Sequence, residues 1–332
     1  MRAWILEKQA QIEDMPLKLK EIPTPDPKDH EIRIKVYACG ICRTDIHIAE
    51  GDLPLKKTPL ILGHEIVGVV DKVGKNVKSF KLGDRAGVAW LNHACGRCKF
   101  CLSNKENLCP QAQFTGWDAD GGYAEYTVLD GDFAFHLAEN LSFEELAPLL
   151  CPGIAGYRSL RLTEAKKGQK LGLYGFGPTA SYVLQVAKYL GIEVFAITRS
   201  QKNRGAAKEL GADWIGTYED KPPSLLDAGI IFPPAGNLVE FALSQLDSNG
   251  RLVLAPVYMT PIEIKDYNNI WLERSIKSLA HISREDGREF LKIAAEINIK
   301  TEIETFPFEK LADVLPLAKQ GKIKGNAVIK IV

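Results

Sequence analysis

Net charge is missing from this chain: lysine plus arginine and aspartate plus glutamate stand at 42 each. Without a net field or a basic stripe, nothing points to nucleic acid or an anionic membrane as a partner. Long apolar runs are missing too. None approaches the ~20 residues that span a bilayer. The opening Met1-Arg-Ala-Trp-Ile-Leu-Glu-Lys8 meets charge too early to read as a signal segment. No repeat or low-complexity tract is visible. Cysteine is scarce, at 7 in 332 residues, and four of the seven are crowded together. The expected compartment is the cytosol, where clustered thiols hold metal more often than they form disulfides.

What is present is ordinary globular sequence, 45% hydrophobic and 25% charged. A chain of this length buries roughly 75% of its unfolded surface and is long enough for two domains. The first 150 residues read as short strands at 31–38, 65–72, 85–90 and 123–129, punctuated by Pro23, Pro25, Pro27, Gly74, Gly83, Gly121 and Gly122. That grammar suits an irregular β barrel. Beyond about Gly153, strands at 171–174, 194–197, 228–232 and 251–255 alternate with helices at 181–190 and 202–210. Alternation of this kind predicts a doubly wound parallel sheet, so the fold class is α/β. The tail returns to mixed character, with a helix at 285–296 and a final strand at 327–332.

Cys95, Cys98, Cys101 and Cys109 stand in the pattern C-x2-C-x2-C-x7-C. Thiols this close can point inward around one tetrahedral Zn²⁺ about 2.3 Å from each. An iron–sulfur cluster and a pair of disulfides are the competing readings. Three further candidates are separated in sequence: Cys42, His64 and Cys151. A Cys2His set leaves a fourth tetrahedral position open, as a catalytic zinc requires. Taken singly, each has a bland explanation, a small buried hydrophobe or a hydrogen-bonded imidazole. Cys39 is left over and reads as a packed residue.

Together these residues resemble the zinc-dependent alcohol dehydrogenases of the medium-chain dehydrogenase/reductase superfamily. The resemblance is carried by Cys42-Arg-Thr-Asp-Ile-His47, Gly63-His-Glu-x-x-Gly68, Gly83-Asp-Arg85, the four-cysteine lobe, Gly121-Gly-Tyr-Ala-Glu125, Cys151 and a nucleotide fingerprint. It implies a GroES-like β-barrel catalytic domain at 1–154 with a structural-zinc lobe at 95–109. A Rossmann cofactor domain would follow at 155–280, and 281–332 would return to the catalytic domain. Two zinc ions per chain are implied. Cys42, His64 and Cys151 would ligate the catalytic one, with Asp45 fixing the tautomer of His64. Glu65 resembles a carboxylate that can approach the metal, and a buried carboxylate paired with a basic residue is the other reading. Zinc can bring the pKa of water from 15.7 to about 7, a shift worth roughly 12 kcal/mol. Thr44 resembles the hydroxyl that receives the substrate proton, and His47 the imidazole that passes it to solvent.

Gly175-Phe-Gly-Pro-Thr-Ala180 follows a strand and opens a helix, the context that a G-x-G-x-x-G/A fingerprint needs. Gly175 allows the turn, Gly177 lets the backbone approach a pyrophosphate, and Phe176, Pro178 and Thr179 complete the cradle at the helix N-terminus. NAD-specific relatives carry a carboxylate where this chain has Thr198, followed by Arg199 and Ser200. A carboxylate about 4 Å from a phosphate charge would cost ~4 kcal/mol at an effective dielectric of 20. NADP(H) is therefore expected over NAD(H). A basic residue often seen near the C-terminus of the family is Asn326 here, with Lys324 nearby.

Leu53 and Trp90 fall where the resemblance places pocket-lining side chains, and they point to alcohols or aldehydes somewhat larger than ethanol. Trp117 and Trp271 read as packing. The expected activity is hydride transfer between an alcohol/aldehyde pair and a nicotinamide, in a homodimer or homotetramer. A polyol or aromatic-alcohol dehydrogenase on the same scaffold is one alternative. A non-enzymatic zinc-stabilised nucleotide or redox sensor is the other.

Overall fold

A computed structural model describes residues 1–332. The chain divides into two compact units, Met1–Cys151 with His281–Val332, and Pro152–Ala280.

In the first unit, strand Glu31–Gly40 organises everything else. Its Ile32, Ile34, Val36 and Ala38 are buried while alternate residues are not, the period of two that a half-buried strand imposes. It pairs antiparallel with Glu65–Val73, with Tyr126–Asp130 and with the late strand Asn326–Lys330. The tail therefore lies in the same seven-stranded sheet, Val328 opposite Gly40. A three-stranded sheet, Leu17–Glu21, Arg2–Leu6 and Leu60–Ile61, and the pair Leu91–His93 with Gln113–Phe114 complete the unit.

Among the boundaries that differ from the sequence reading, three have a plain tertiary reason. The run at 85–90 ends at Val88, and the chain re-pairs at Leu91 with Phe114. Ladder pairing near 123–129 begins only at Tyr126, because Tyr123 donates its N–H to Leu62 O and receives that of Trp4. The strand at 251–255 starts earlier, at Leu246, beyond a register shift opposite Leu226 and Ala228.

The second unit is a six-stranded sheet in which every neighbouring pair is parallel. Its spatial order is Trp214–Gly216, Glu193–Ile197, Lys170–Tyr174, Leu226–Ile231, Leu246–Leu254, Ser275–Ser278. Counted along the chain this is the 3-2-1-4-5-6 order of a Rossmann sheet, in which ligands bind beyond the carboxyl ends of strands where the order reverses. The three inner strands Glu193–Ile197, Lys170–Tyr174 and Leu226–Ile231 are buried almost throughout, as strands covered on both faces must be. Tyr174, Ile197, Leu226, Ile231, Val239, Leu243 and Leu252 form one apolar cluster. Trp271, by contrast, is 54% exposed and meets Tyr267 at 5.7 Å, so it is not core. No helix is long and apolar enough to cross a membrane.

Candidate active site and metal centres

Helix Arg43–Glu50 is short and weakly periodic, and it is held by its ends. Cys42 caps its N-terminus, and Gly51, at φ +96°, returns its N–H to His47 O. The helix presents Thr44, Asp45 and His47. Strand Glu65–Val73 follows His64 directly, and a 3-10 turn at Ala147–Leu150 delivers Cys151. Residues far apart in sequence meet in this way. One donor atom each from Cys42, His64, Glu65 and Cys151 lies within 4.8 Å of the others.

The geometry is that of a cation site. Cys42 Sγ and Cys151 Sγ are 3.8 Å apart. Two ligands about 2.3 Å from a tetrahedral zinc stand about 3.8 Å from each other, whereas a disulfide needs about 2.05 Å. Asp45 is fully buried, and its Oδ1 lies 3.1 Å from His64 Nδ1, leaving Nε2 as the imidazole's remaining donor. Glu65 packs against Gly40, where a Cβ would stand 1.9 Å from Oε2. No lysine or arginine is ion-paired to Glu65, so the basic-partner reading of this carboxylate fails.

Electrostatics agree with the distances. A proton shared with Cys151 holds the Cys42 thiol well below its ordinary range; burial opposes this and His64 assists it. Cys151 is raised by the same hydrogen bond and by burial. Burial and the Cys42 thiolate push Glu65 well up. Burial alone would lower His64, but Asp45 and the Cys42 thiolate more than offset it and raise it. Buried acids crowded so that each resists the next one's ionisation are a donor set that a cation neutralises.

The other candidates fall around this centre. Thr44 Oγ1 accepts from Cys42 Sγ at 3.5 Å. His47 Nδ1 meets Asp52 Oδ2 at 2.6 Å, and Leu53 donates its N–H to His47 O. Trp90 lies edge-on to His64, centroids 4.9 Å apart, and its Nε1 donates to His281 Nδ1 at 3.1 Å. Phe114 stacks on Trp90, and Trp117 is packed beneath Lys56 Nζ at 3.6 Å. Cys39 is buried against Gly63 and Gly122. Three residues of this neighbourhood escaped sequence reasoning. Asp52 and His281 carry no local signal, and Tyr123 sits inside a quoted motif with no role attached.

In the lobe, donor atoms of Cys95, Cys98, Cys101 and Cys109 also lie within 4.8 Å of one another. Cys98 Sγ is 3.5 Å and Cys95 Sγ 3.9 Å from Cys101 Sγ, so no disulfide joins them. A multi-iron cluster seats thiolates on different irons and spreads them farther, so these spacings suit a single ion. Backbone N–H groups of Arg97 and Cys98 bring the Cys95 thiol down to about 6. Burial and the neighbouring sulfurs push Cys101 up to about 12.

In the second unit, Gly175 has φ +83°, and a Cβ there would stand 2.7 Å from Pro233 Cδ. Gly177, before helix Pro178–Tyr189, has nothing within 4 Å of a Cβ position. Phe176 and Ala180 are buried, Pro178 takes the first turn, and Thr179 is half-buried. Thr198 is buried at the end of strand Glu193–Ile197, and Ser200 caps the next helix by accepting from Asn203 N–H. Arg199 is exposed, with its guanidinium 5.9 Å from the Tyr218 ring centroid. Asn326 donates to Glu302 O, and Lys324 pairs with Glu302.

One unit holds a parallel 3-2-1-4-5-6 sheet with a glycine turn and the other a cluster of Cys42, His64, Glu65 and Cys151 donor atoms, features that suit a nucleotide-dependent dehydrogenase able to hold a metal. Comparison with known proteins makes this specific. Residues 28–139 match the family described as "Alcohol dehydrogenase GroES-like domain". The chain is 44% identical over 337 residues to "Probable alcohol dehydrogenase AdhA" of Mycobacterium tuberculosis, covering 100% of this chain and 97% of the relative. It is similar to a cinnamyl alcohol dehydrogenase from Sorghum bicolor, with TM-score 0.87, 27% identity and coverage of 99% and 97%. A protein termed CAD from Helicobacter pylori, solved with NADP(H), gives TM-score 0.85 at 26% identity, with 99% of both chains covered. The chain belongs to the zinc-type medium-chain alcohol dehydrogenase family. It is an enzyme of the alcohol dehydrogenase type, with a GroES-like domain and a Rossmann-type parallel-sheet domain.

Proposed function

We propose that this enzyme transfers a hydride between a small alcohol/aldehyde pair and NADP(H), using one catalytic and one structural zinc. The observation that carries the reading is the convergence of Cys42, His64 and Cys151 on one point. Three such donors leave one tetrahedral corner open, while the four-thiol lobe leaves none. Zinc in the open set would supply Lewis acidity toward a hydroxyl or carbonyl oxygen, and the nicotinamide a carbon that takes or gives hydride.

The chain's own residues supply the rest. Cys42 and Cys151 would hold the metal as thiolates and His64 through Nε2, while Asp45 keeps a proton on Nδ1. Glu65 waits beside them as a further carboxylate donor. Thr44 Oγ1, beside Cys42 Sγ, would exchange a substrate proton, and His47, one-third exposed, would hand it to solvent. Trp90 walls the site against His64, and Leu53 lies one short turn beyond His47, which favours substrates somewhat larger than ethanol.

In the second unit, the open space at Gly177 and the free N–H groups of Phe176, Thr179 and their neighbours would take the pyrophosphate. Thr198, Arg199 and Ser200 present hydroxyls and a cation, with no carboxylate, where a ribose 2′-phosphate would sit. We further propose a cytosolic homodimer or homotetramer. Strand Ser275–Ser278 is a sheet edge flanked by exposed Trp271 and Leu272. The relatives do not favour the polyol or aromatic-alcohol dehydrogenase alternative, nor the non-enzymatic sensor.

The test is a metal count beside kcat/KM for an alcohol and aldehyde panel with both cofactors. Two zinc ions per chain and a preference for NADP are expected, and Cys42→Ala should remove one zinc and turnover together. One zinc per wild-type chain would overturn the catalytic-site reading, and a strong NAD preference would overturn the cofactor reading.

A further inference from the structure

We infer that Tyr123 is a positioning residue, holding His64 in its metal-binding tautomer through Asp45. The inference rests on reading Cys42, His64 and Cys151 as metal donors. For His64 to present an unprotonated Nε2, Nδ1 must keep its proton, and that proton needs an acceptor fixed in place. Asp45 Oδ1 is that acceptor, 3.1 Å away. Asp45, however, has no exposure to solvent, and a buried carboxyl is costly unless its oxygens are met by hydrogen-bond donors. Its second oxygen accepts from the Cys42 N–H at 2.9 Å and from the Tyr123 hydroxyl at 2.8 Å. The phenol has one proton and a second possible acceptor, Gly40 O, at the longer distance of 3.3 Å. The shorter and charge-assisted bond to Asp45 takes it.

The placement of this ring explains a motif that the rest of the mechanism leaves unused. A Cβ on Gly121 would stand 2.1 Å from Gly63 O, and one on Gly122 would stand 2.4 Å from Ile66 Cγ1. One on Gly63, itself at φ +92°, would stand 2.9 Å from Tyr123 Cδ1. The bare backbone of Gly121-Gly122 therefore lies directly on the segment that carries His64, sealed by Gly122 N–H to Gly63 O and Tyr123 N–H to Leu62 O. Beyond it, the Tyr123 carbonyl accepts from Trp4 N–H. The ring is pinned at its backbone, and its hydroxyl can reach only inward. Two glycine motifs 58 positions apart thus serve one hydrogen-bond chain, from Tyr123 through Asp45 to His64.

The experiment uses the full-length zinc-loaded enzyme challenged with excess chelator, with zinc release followed by an indicator dye. Tyr123→Phe keeps the ring that packs on Gly63 and removes only the hydroxyl. It should release one of its two zinc ions roughly tenfold faster than the wild type, with release of the second zinc unchanged. Asp45→Asn should accelerate the same zinc, and the double variant should be no faster than Asp45→Asn alone, because both changes cut one chain. Equal release from Tyr123→Phe and wild type overturns the inference. So does faster loss of both metals together, or additivity in the double variant. Wild type carrying a single zinc would overturn the site reading itself, and is distinguishable from all of these.

Discussion

His47 Nδ1 is hydrogen-bonded to Asp52 Oδ2 at 2.6 Å and the side chain is one-third exposed, so its imidazole is held in place while remaining in reach of solvent water. A proton that leaves the substrate through such a group should depend on it most where hydroxide is scarce. His47→Gln is expected to lower alcohol oxidation on the order of tenfold below pH 7, less than the loss of a direct acid–base group. At alkaline pH the loss should largely vanish, and Asp52→Asn should show a weaker form of the same profile. An unchanged pH–rate curve for His47→Gln would remove the histidine from the relay. His47 was legible in the sequence through its motif, but Asp52 was not, because a pairing across a helix C-cap leaves no spacing signature.

Elements show the difference between a glycine the fold needs and a glycine a ligand needs. Gly175 lies in the left-handed region and against Pro233, so Gly175→Ala should be destabilised by about 1–3 kcal/mol. Gly177 has φ −117° and open space around its Cβ position, so Gly177→Ala should unfold within about 0.5 kcal/mol of the wild type. Its dinucleotide affinity should nonetheless drop markedly, because a methyl would occupy the space that a pyrophosphate enters. Thermal denaturation and cofactor titration of the two variants separate these outcomes. Equal loss of stability in both would refute the distinction. The strand–turn–helix grammar of this element was readable from residues 171–190, since each strand is a short apolar run and proline follows the turn. The late strand Asn326–Lys330 was readable as a strand but not as a neighbour of Glu31–Gly40, since pairing over such a separation is a matter of register in space.

At the scale of the molecule, the lobe is tied to the returning tail by Glu106 and Arg284. The Glu106 side chain is only 6% exposed and accepts from both the backbone N–H and Nε of Arg284. Burial works against its ionisation, but the hydrogen bonds and the Arg284 charge prevail and hold it below its ordinary 4.5. A carboxyl depressed on folding stabilises above its unfolded pKa, and that gain is lost as pH falls through the folded value. Glu106→Gln should therefore cost roughly 2 kcal/mol at neutral pH. The gap to wild type should narrow as pH falls through the ordinary 4.5 and below it. Urea unfolding at several pH values reads this directly, and a gap independent of pH would assign the bond no electrostatic role.

Local order along the chain sufficed for the readings drawn from it: four thiols near enough to share an ion, a glycine turn at the start of a helix, and the run Thr198-Arg199-Ser200 with no carboxylate. These depend on neighbours within a few residues, where bond geometry leaves little freedom. Which separated donors actually meet was settled only by folding. Cys42 and Cys151 lie 109 positions apart and Tyr123 lies 78 beyond Asp45, yet their side chains are within hydrogen-bond reach. A tetrahedral site and the buried carboxylate beneath it are arrangements in three dimensions, built by strands whose packing brings distant residues to one point.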